Sequence, residues 1–225
     1  MRLAVIADVH SNLHALEAAS MRISERSPDI AVCAGDVVGY GAFPNECCSK
    51  VEGLCSWSVA GNHDRAAISK DVSRMNPYAA AAAIWTSDRL EQNARRFLSA
   101  LGPSARFVAD DRRVAVFHGS PTDPDEYVQE DAVDRGLLTG TGCDILILGH
   151  THVPYVKSFD ERLVLNPGSV GQPRDSDPRG SFAIVDTEKM DCEIVRFEYP
   201  VKEAADAILS EGLPRILAER LSIGR

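Results

Sequence analysis

The chain has 225 residues, of which 44% are hydrophobic and 25% are charged, as in a globular protein long enough to bury a sizeable core. Its formal net charge is −9, so it lacks the basic surface that extended contact with nucleic acid requires. The apolar runs are only strand-sized, which argues against a membrane span or a signal peptide, and we expect one domain over residues 1–225 in the cytoplasm. Six cysteines without a C-x-x-C pair favour a reducing compartment.

Short apolar runs predict buried strands, and helical patterns lie between them. In chain order the predicted strands are Leu3–Ala7, Ile30–Ala34, Trp57–Ala60, Val114–Phe117, Ile145–Leu148 and Ala183–Val185. Ser11 or Asn12 caps a first helix, and Asn76-Pro77 opens a long alanine-rich helix that ends at Gly102.

The second half of the chain adds a hairpin and a final helix. Tyr155–Phe159 and Leu163–Asn166 flank a polar turn, and the last helix runs from about Val201 to Glu211. Strands that first alternate with helices and then form hairpins predict an α/β fold with a mixed sheet, or two sheets, between helices. The polar, turn-rich segment 120–142 is interpreted as a lid or a surface excursion.

Five of the predicted strands are followed, within one or two positions, by a side chain that can bind a metal ion. These side chains are Asp8, Asp36, Asn62, His118 and His150. Ligand sites of open α/β sheets form at the carboxyl ends of the strands, so we expect the five to meet at one edge. His10 and His152 stand two residues beyond Asp8 and His150, a spacing that places each pair on one side of the chain.

Each motif alone has an ordinary alternative: an exposed loop pair, a turn or helix cap at Asp36, an Asx-turn at Asn62. Together they supply two carboxylates, one amide oxygen and four or five imidazoles. That set is enough for two metal ions that share a bridging carboxylate, an arrangement suited to phosphoester hydrolysis.

The order of the motifs resembles that of the calcineurin-like metallophosphoesterases. The matching motifs are Asp8-Val9-His10, Gly35-Asp36, Gly61-Asn62-His63-Asp64, His118, Gly149-His150-Thr151-His152 and the turn Asn166-Pro167-Gly168-Ser169. The resemblance implies a four-layer αββα sandwich, in which two mixed β-sheets pack face to face between helices.

The same resemblance implies two ligand sets and a metal-bound hydroxide as the nucleophile. One ion would bind Asp8, His10, Asp36 and His152, and the other would bind Asp36, Asn62, His118 and His150. Mixed nitrogen and oxygen ligands suit manganese, iron or zinc better than calcium. The hydroxide would attack phosphorus in line, since the metals lower the pKa of bound water.

Three more residues receive roles, each with an alternative. His63 would donate a proton to the leaving oxygen, and Asp64 would either orient its imidazole or cap a helix. Arg174 would clamp the phosphate or form a surface ion pair with Asp175 or Asp177.

Three other basic residues carry weaker expectations. Arg65 and Arg179 are secondary candidates for phosphate binding, and His14 is expected on the helix surface.

The expected activity is hydrolysis of a small phosphomonoester or phosphodiester, with nucleotides among the candidate substrates. A serine/threonine phosphoprotein phosphatase is disfavoured, because Val37–Gly41 lacks the arginine that those relatives carry shortly after the G-D motif. Some small bacterial phosphodiesterases that resemble this chain have cysteine at the position of His63. A non-catalytic scaffold on the same fold is the third alternative, and the sequence leaves the oligomeric state open.

Overall fold

Ten strands form two five-stranded sheets in the computed structural model, which describes residues 1–225. The strands are β1 (Arg2–Ile6), β2 (Ile30–Cys33), β3 (Trp57–Ser58), β4 (Ser104–Ala109), β5 (Arg112–Phe117), β6 (Ile145–Ile147), β7 (Tyr155–Phe159), β8 (Arg162–Asn166), β9 (Gly180–Asp186) and β10 (Asp191–Phe197). The first sheet has the order β10-β9-β1-β2-β3 and the second β4-β5-β6-β8-β7. In the first sheet β1, β2 and β3 pair in parallel, and β9 is antiparallel to both of its neighbours. In the second sheet β5, β6 and β8 pair in parallel and the outer strands β4 and β7 are antiparallel, so both sheets are mixed.

Eight α-helices and two short 3₁₀ turns complete the fold. The helices are α1 (Leu13–Arg26), α2 (Pro44–Leu54), α3 (Asn62–Ser69), α4 (Pro77–Arg89), α5 (Gln92–Ala100), α6 (Arg135–Thr141), α7 (Val201–Ser210) and α8 (Arg215–Glu219). The 3₁₀ turns span Glu130–Ala132 and Arg220–Ile223. No helix combines the length and hydrophobicity that crossing a bilayer requires.

Alternating side chains of the central strands divide the apolar core into three layers. Leu3 and Val5 of β1 pack against the second sheet, whereas Ala4 and Ile6 pack against the helices. Leu146 of β6 likewise faces α6 on the outer side of the second sheet. Because successive side chains of a strand point to opposite faces, a continuous apolar run contributes side chains to the core on both faces of its sheet. The predicted sandwich of two mixed sheets between helices is therefore confirmed.

The long alanine-rich helix predicted from Asn76-Pro77 to Gly102 is wrong, because the chain forms two helices, α4 and α5. The break falls at Leu90 and Glu91, whose backbone is extended. Asn45 of α2 accepts a hydrogen bond from the Glu91 amide (2.8 Å) and donates one to the Arg89 carbonyl (3.0 Å). A residue distant in sequence thus satisfies the backbone groups that a helix end leaves unpaired.

The other local predictions agree more closely with the structure. Asn12 caps α1 by accepting a hydrogen bond from the Ala15 amide at 3.1 Å. β7 and β8 form the expected antiparallel hairpin. The helix predicted to be the last ends at Ser210, but after Pro214 the chain forms α8 and a 3₁₀ turn, neither of which was predicted from the sequence.

Candidate metal centre

The structure brings the polar side chains that follow β1, β2, β3, β5 and β6 to one edge of the two sheets. In the first cluster, His10 Nε2 lies 3.1 Å from His152 Nε2, 3.7 Å from Asp8 Oδ1 and 3.6 Å from Asp36 Oδ2. His152 Nε2 lies 3.2 Å from Asp8 Oδ1. All four side chains are almost completely buried.

A second cluster lies on the other side of Asp36. His118 Nε2 is 3.3 Å from Asp36 Oδ2, 3.2 Å from Asn62 Oδ1 and 3.0 Å from His150 Nδ1. Oδ2 of Asp36 is therefore the one atom near both groups of imidazoles. The spacing of each group is compatible with one metal ion held between its nitrogen and oxygen atoms.

Each aspartate uses one oxygen within the protein and leaves the other without a partner. Asp8 Oδ2 accepts the His150 amide at 3.1 Å, and Asp36 Oδ1 accepts the His63 amide at 2.8 Å. Oδ1 of Asp8 and Oδ2 of Asp36 are buried and have no hydrogen-bond donor. A buried, unpaired carboxylate oxygen is costly, and a divalent cation would supply the missing partner.

The second ring nitrogen of each of the four clustered histidines is bonded to a main-chain oxygen. The pairs are His10 Nδ1 with Val38 (3.2 Å), His118 Nδ1 with Ala34 (2.9 Å), His150 Nε2 with Asp125 (3.1 Å) and His152 Nδ1 with Gln172 (2.5 Å). A carbonyl oxygen only accepts hydrogen bonds, so these ring nitrogens donate. The opposite nitrogen of each ring is then free to bind a metal, as is usual for ligating histidines.

Burial sets the protonation of the cluster. It lowers the pKa of His10 and His152 well below the usual value, which favours the neutral ring that a metal needs. Burial and the neighbouring Asp36 carboxylate raise the pKa of Asp8 to about 8, although His118 opposes them. Burial alone would lower the pKa of His118, but the Asp36 carboxylate raises it to about 9. A divalent cation would replace these protons as the counter-charge.

The loops that carry the cluster have an uncommon backbone. Asp8, His10, Asp36, His150 and His152 all have positive φ values, from 51° to 70°. This left-handed conformation is unfavourable for residues other than glycine and concentrates at functional sites. A Cβ at the adjacent Gly61 would overlap the Asp36 carboxylate, so only glycine fits there.

His63 lies beside the first cluster and is 4% exposed. Its ring centre is 4.9 Å from that of His10 and 4.4 Å from that of Tyr40, and its Nδ1 has no hydrogen-bond partner. Gly39, at φ 102°, passes so close that a Cβ would press on the imidazole. Burial lowers the pKa of His63 to about 4. His63 also lies close enough to His10 and Asp36 to bind a metal ion together with them. Its position alone therefore does not distinguish a metal ligand from a proton donor.

Asp64 adopts the helix-capping alternative, and the orienting contact with His63 is absent. Its two oxygens accept the amides of Val38 and Gly61, each at 3.0 Å, and it caps α3. The carbonyl of Val38 in turn holds His10. The Asp64 carboxylate therefore holds the loop whose Val38 carbonyl contacts His10, and it does not orient the imidazole of His63.

Arg174 does not form the surface ion pair considered as its alternative, because Asp175 and Asp177 pair with other arginines. Its Nη2 lies 3.2 Å from the Tyr40 hydroxyl and 3.1 Å from Gln172 Oε1, and its buried Nε has no partner. The guanidinium is thus held beside the cluster by neutral groups.

The remaining basic candidates lie elsewhere. Arg65 pairs with Asp125 and Arg179 with Asp177, so neither guanidinium is free. His14 is partly buried against Phe43, 5.4 Å between ring centres, and lies outside both clusters.

Three aromatic or basic residues at the site were not predicted from the sequence. Tyr40 packs on His10, with ring centres 4.6 Å apart, and Tyr127 stacks on His150 at 3.8 Å. Arg220, from the last 3₁₀ turn, lies over Tyr40, its guanidinium carbon 5.5 Å from the ring centre. No local motif marks any of them, since each reaches the site only through the packing of distant segments.

One part of the segment 120–142 contacts the second cluster, and another part packs on the outer face of the second sheet. Its Asp125 and Tyr127 contact His150, whereas Val133 and Leu138 are buried against the second sheet. Beside His150 and Asn62 the segment borders an open cleft of about 530 Å³. Arg65 and Arg74 line this cleft and share the carboxylate of Asp125.

Comparison with known proteins agrees with this geometry. A model of the calcineurin-like phosphoesterase superfamily domain matches residues 1–190. An uncharacterized protein of Methanocaldococcus jannaschii is 37% identical over 241 aligned positions, which cover 99% of this chain and 98% of that protein. The crystal structure of a metallophosphoesterase from Sphaerobacter thermophilus matches with a TM-score of 0.81 and 34% identity over 100% of this chain and 99% of that one. A hypothetical protein from Pyrococcus horikoshii OT3 matches in fold, with a TM-score of 0.89 at 21% identity over 100% and 98% of the two chains.

Proposed function

Because this chain belongs to the calcineurin-like phosphoesterase superfamily, we propose that it is a metal-dependent enzyme that hydrolyses a small phosphomonoester or phosphodiester. The observation that carries this proposal is the unpaired Oδ2 of Asp36, which lies 3.6 Å from His10 and 3.3 Å from His118. An acceptor between two groups of imidazoles suits a carboxylate that bridges two cations.

The proposal assigns two metal positions. The first position consists of Asp8, His10, Asp36 and His152, and the second consists of Asp36, Asn62, His118 and His150. Imidazole with carboxylate and amide oxygen suits manganese, iron or zinc. Two such ions, when bound, neutralise phosphoryl charge and lower the pKa of the attacking water.

His63 is the proposed general acid. It is buried next to the first position, its Nδ1 is free, and no carboxylate holds its ring. The pKa of about 4 belongs to a ring without a nearby phosphate. A bound phosphoryl group would place negative charge beside the ring and raise its pKa toward the range in which it can donate a proton.

Arg174 is the proposed phosphate-binding residue. Its guanidinium has an unpaired buried Nε and contacts only Tyr40 and Gln172. A planar guanidinium without a carboxylate partner can bind two phosphoryl oxygens at once.

The surroundings favour a small substrate over a phosphoprotein. Val37 and Val38, in the stretch where phosphoprotein phosphatases carry an arginine, are fully buried and cannot contact a substrate. The intact ligand set, with its unpaired carboxylate oxygens, also argues against a non-catalytic scaffold.

The test is hydrolysis by manganese-loaded protein of aryl phosphate monoesters, aryl phosphate diesters and a panel of phosphopeptides. We expect turnover of at least one aryl ester and little or none of the phosphopeptides. Turnover confined to phosphopeptides would replace the proposal with a phosphoprotein phosphatase. Absence of turnover with full metal occupancy would support the scaffold.

A further inference from the structure

Two half-buried guanidinium groups lie over the ring of one tyrosine beside the first metal position. The guanidinium carbons of Arg174 and Arg220 are 5.9 Å and 5.5 Å from the centre of the Tyr40 ring. The same ring packs on His10 and on His63, at 4.6 Å and 4.4 Å between ring centres. One aromatic side chain therefore connects both cations to the first metal position.

The fold holds Arg220 in this place. Leu217 and Leu221, on either side of it, are buried in the core between the first sheet and its helices. The amide of Ser176 donates to the carbonyl of Gly224 at 2.9 Å, which ties the Arg220 turn to the loop that follows Arg174. Packing thus holds the two cations in place although their like charges repel each other.

Neither guanidinium is neutralised by an aspartate or glutamate side chain. Arg220 donates through Nε to the main-chain oxygen of Arg225, and Arg174 contacts neutral groups. Burial and the charge of Arg174 lower the pKa of Arg220, so the pair is held together at a cost. In a chain with a net charge of −9, two guanidinium groups that lie beside a reactive centre without an aspartate or glutamate partner indicate an anionic ligand.

The two arginines differ in what they reach. Arg174 contacts the side chain of Gln172, whose main-chain oxygen is bonded to His152 of the first metal position. Arg220 lies over the ring of Tyr40, and the same ring packs on His63. Arg220 has no such link to a metal ligand and is connected through Tyr40 to His63, the proposed donor to the leaving oxygen.

We propose that Arg220 binds a second phosphoryl group, carried by the leaving portion of the substrate. The substrate is then a small molecule with two phosphoryl groups, one of which reacts at the metals while Arg174 holds it. A guanidinium fork matches phosphoryl oxygens in geometry as well as in charge. This inference rests on the proposed function, because it uses the proposed metal positions and the role of His63.

The test is calorimetric binding of three probes to manganese-loaded protein: methylphosphonate, methylenediphosphonate and phosphonoacetate. In Arg220→Gln we expect methylenediphosphonate to bind about tenfold more weakly or worse, and methylphosphonate to change less than about twofold. Arg220→Lys should recover part of the loss. The matched control is Arg215→Gln, an exposed arginine of the same segment that pairs with Glu219 and should leave all three affinities unchanged.

Equal weakening of the one-phosphonate and two-phosphonate probes, or no weakening of either, would overturn the proposal. If phosphonoacetate depends on Arg220 as strongly as methylenediphosphonate does, the assignment to a phosphoryl group is wrong. Melting temperatures of the variants show whether folding is affected, and Arg220→Lys keeps the charge if Arg220→Gln does not fold. Binding needs no turnover, so selective probe binding without ester hydrolysis would reject the proposed function and retain the role of Arg220.

Discussion

The two proposed metal positions share Asp36 but differ in charge and in exposure. The first adds Asp8, and its ligands are at most 2% exposed. The second adds the neutral amide of Asn62, and its His150 borders an open cleft. Two carboxylates bind a cation more strongly than one, and a buried site exchanges with solvent more slowly. If both positions bind metal, we expect one tightly held ion and one that exchanges more readily.

The strongest way to break this comparison is to remove what the two positions share. Asp36→Asn should abolish activity and lower metal content below that of His10→Ala or His152→Ala, because each histidine serves one position. Elemental analysis of the purified variants measures this. Near-normal content of both metals in Asp36→Asn would show that the carboxylate is not a bridge.

Chelation should separate the two positions in time. We expect the metal of the second position to leave first and activity to fall with it, while the protein stays folded, since its core is apolar and independent of the ligands. Circular dichroism, metal content and aryl phosphate turnover, sampled together, follow the process. Manganese should restore activity better than calcium, which prefers oxygen ligands. An unfolded metal-free protein would contradict a purely catalytic role for the site.

His63→Gln sharpens the comparison, because His63 lies beside the first position without being assigned to it. Loss of a general acid should lower the rate about a hundred- to ten-thousand-fold for an alkyl or nucleoside ester, and far less for p-nitrophenyl phosphate. Metal content should stay near normal. Equal loss on both esters would indicate phosphate binding instead, and loss of metal would make His63 a ligand.

Asp64→Ala should lower the stability of the protein and the metal content of the first position, but not the metal content of the second. It removes the acceptor of two buried main-chain amides, at a cost of about 1–3 kcal/mol for each group left unsatisfied. Because the same loop places the Val38 carbonyl against His10, metal in the first position should fall slightly while the second is unchanged. Denaturant unfolding and metal content measure the two effects, and the exposed Asp71→Ala is the control. If the first position of Asp64→Ala contains as much metal as that of the wild type, the loop keeps its shape without Asp64.

Several features of the site were readable from the sequence because they depend on short segments. Asp8, Asp36, His118 and His150 lie within three residues of the ends of apolar strands, and strand ends in such folds meet at one edge. The sandwich was implied by the order of these motifs more than by periodicity. The periodicity alone allowed either one mixed sheet or two.

Other features depend on contacts between distant segments and had no local signal. The alanine-rich run favours a continuous helix, whereas in the structure it breaks at Leu90, where Asn45 of another helix binds the backbone. The carboxylate of Asp64 had two equally good local roles, and the positions of Val38 and Gly61 decided between them.

By itself the sequence determined which groups are available to bind metal and, through strand ends, where they gather. Only the tertiary structure decided which oxygen of Asp36 stays unpaired, and that Arg220 joins Arg174 across Tyr40. The physical reason is the distance along the chain over which each effect acts. Hydrophobic alternation and turn chemistry act over a few residues, whereas charge, burial and hydrogen-bond partners depend on every segment that folding brings near.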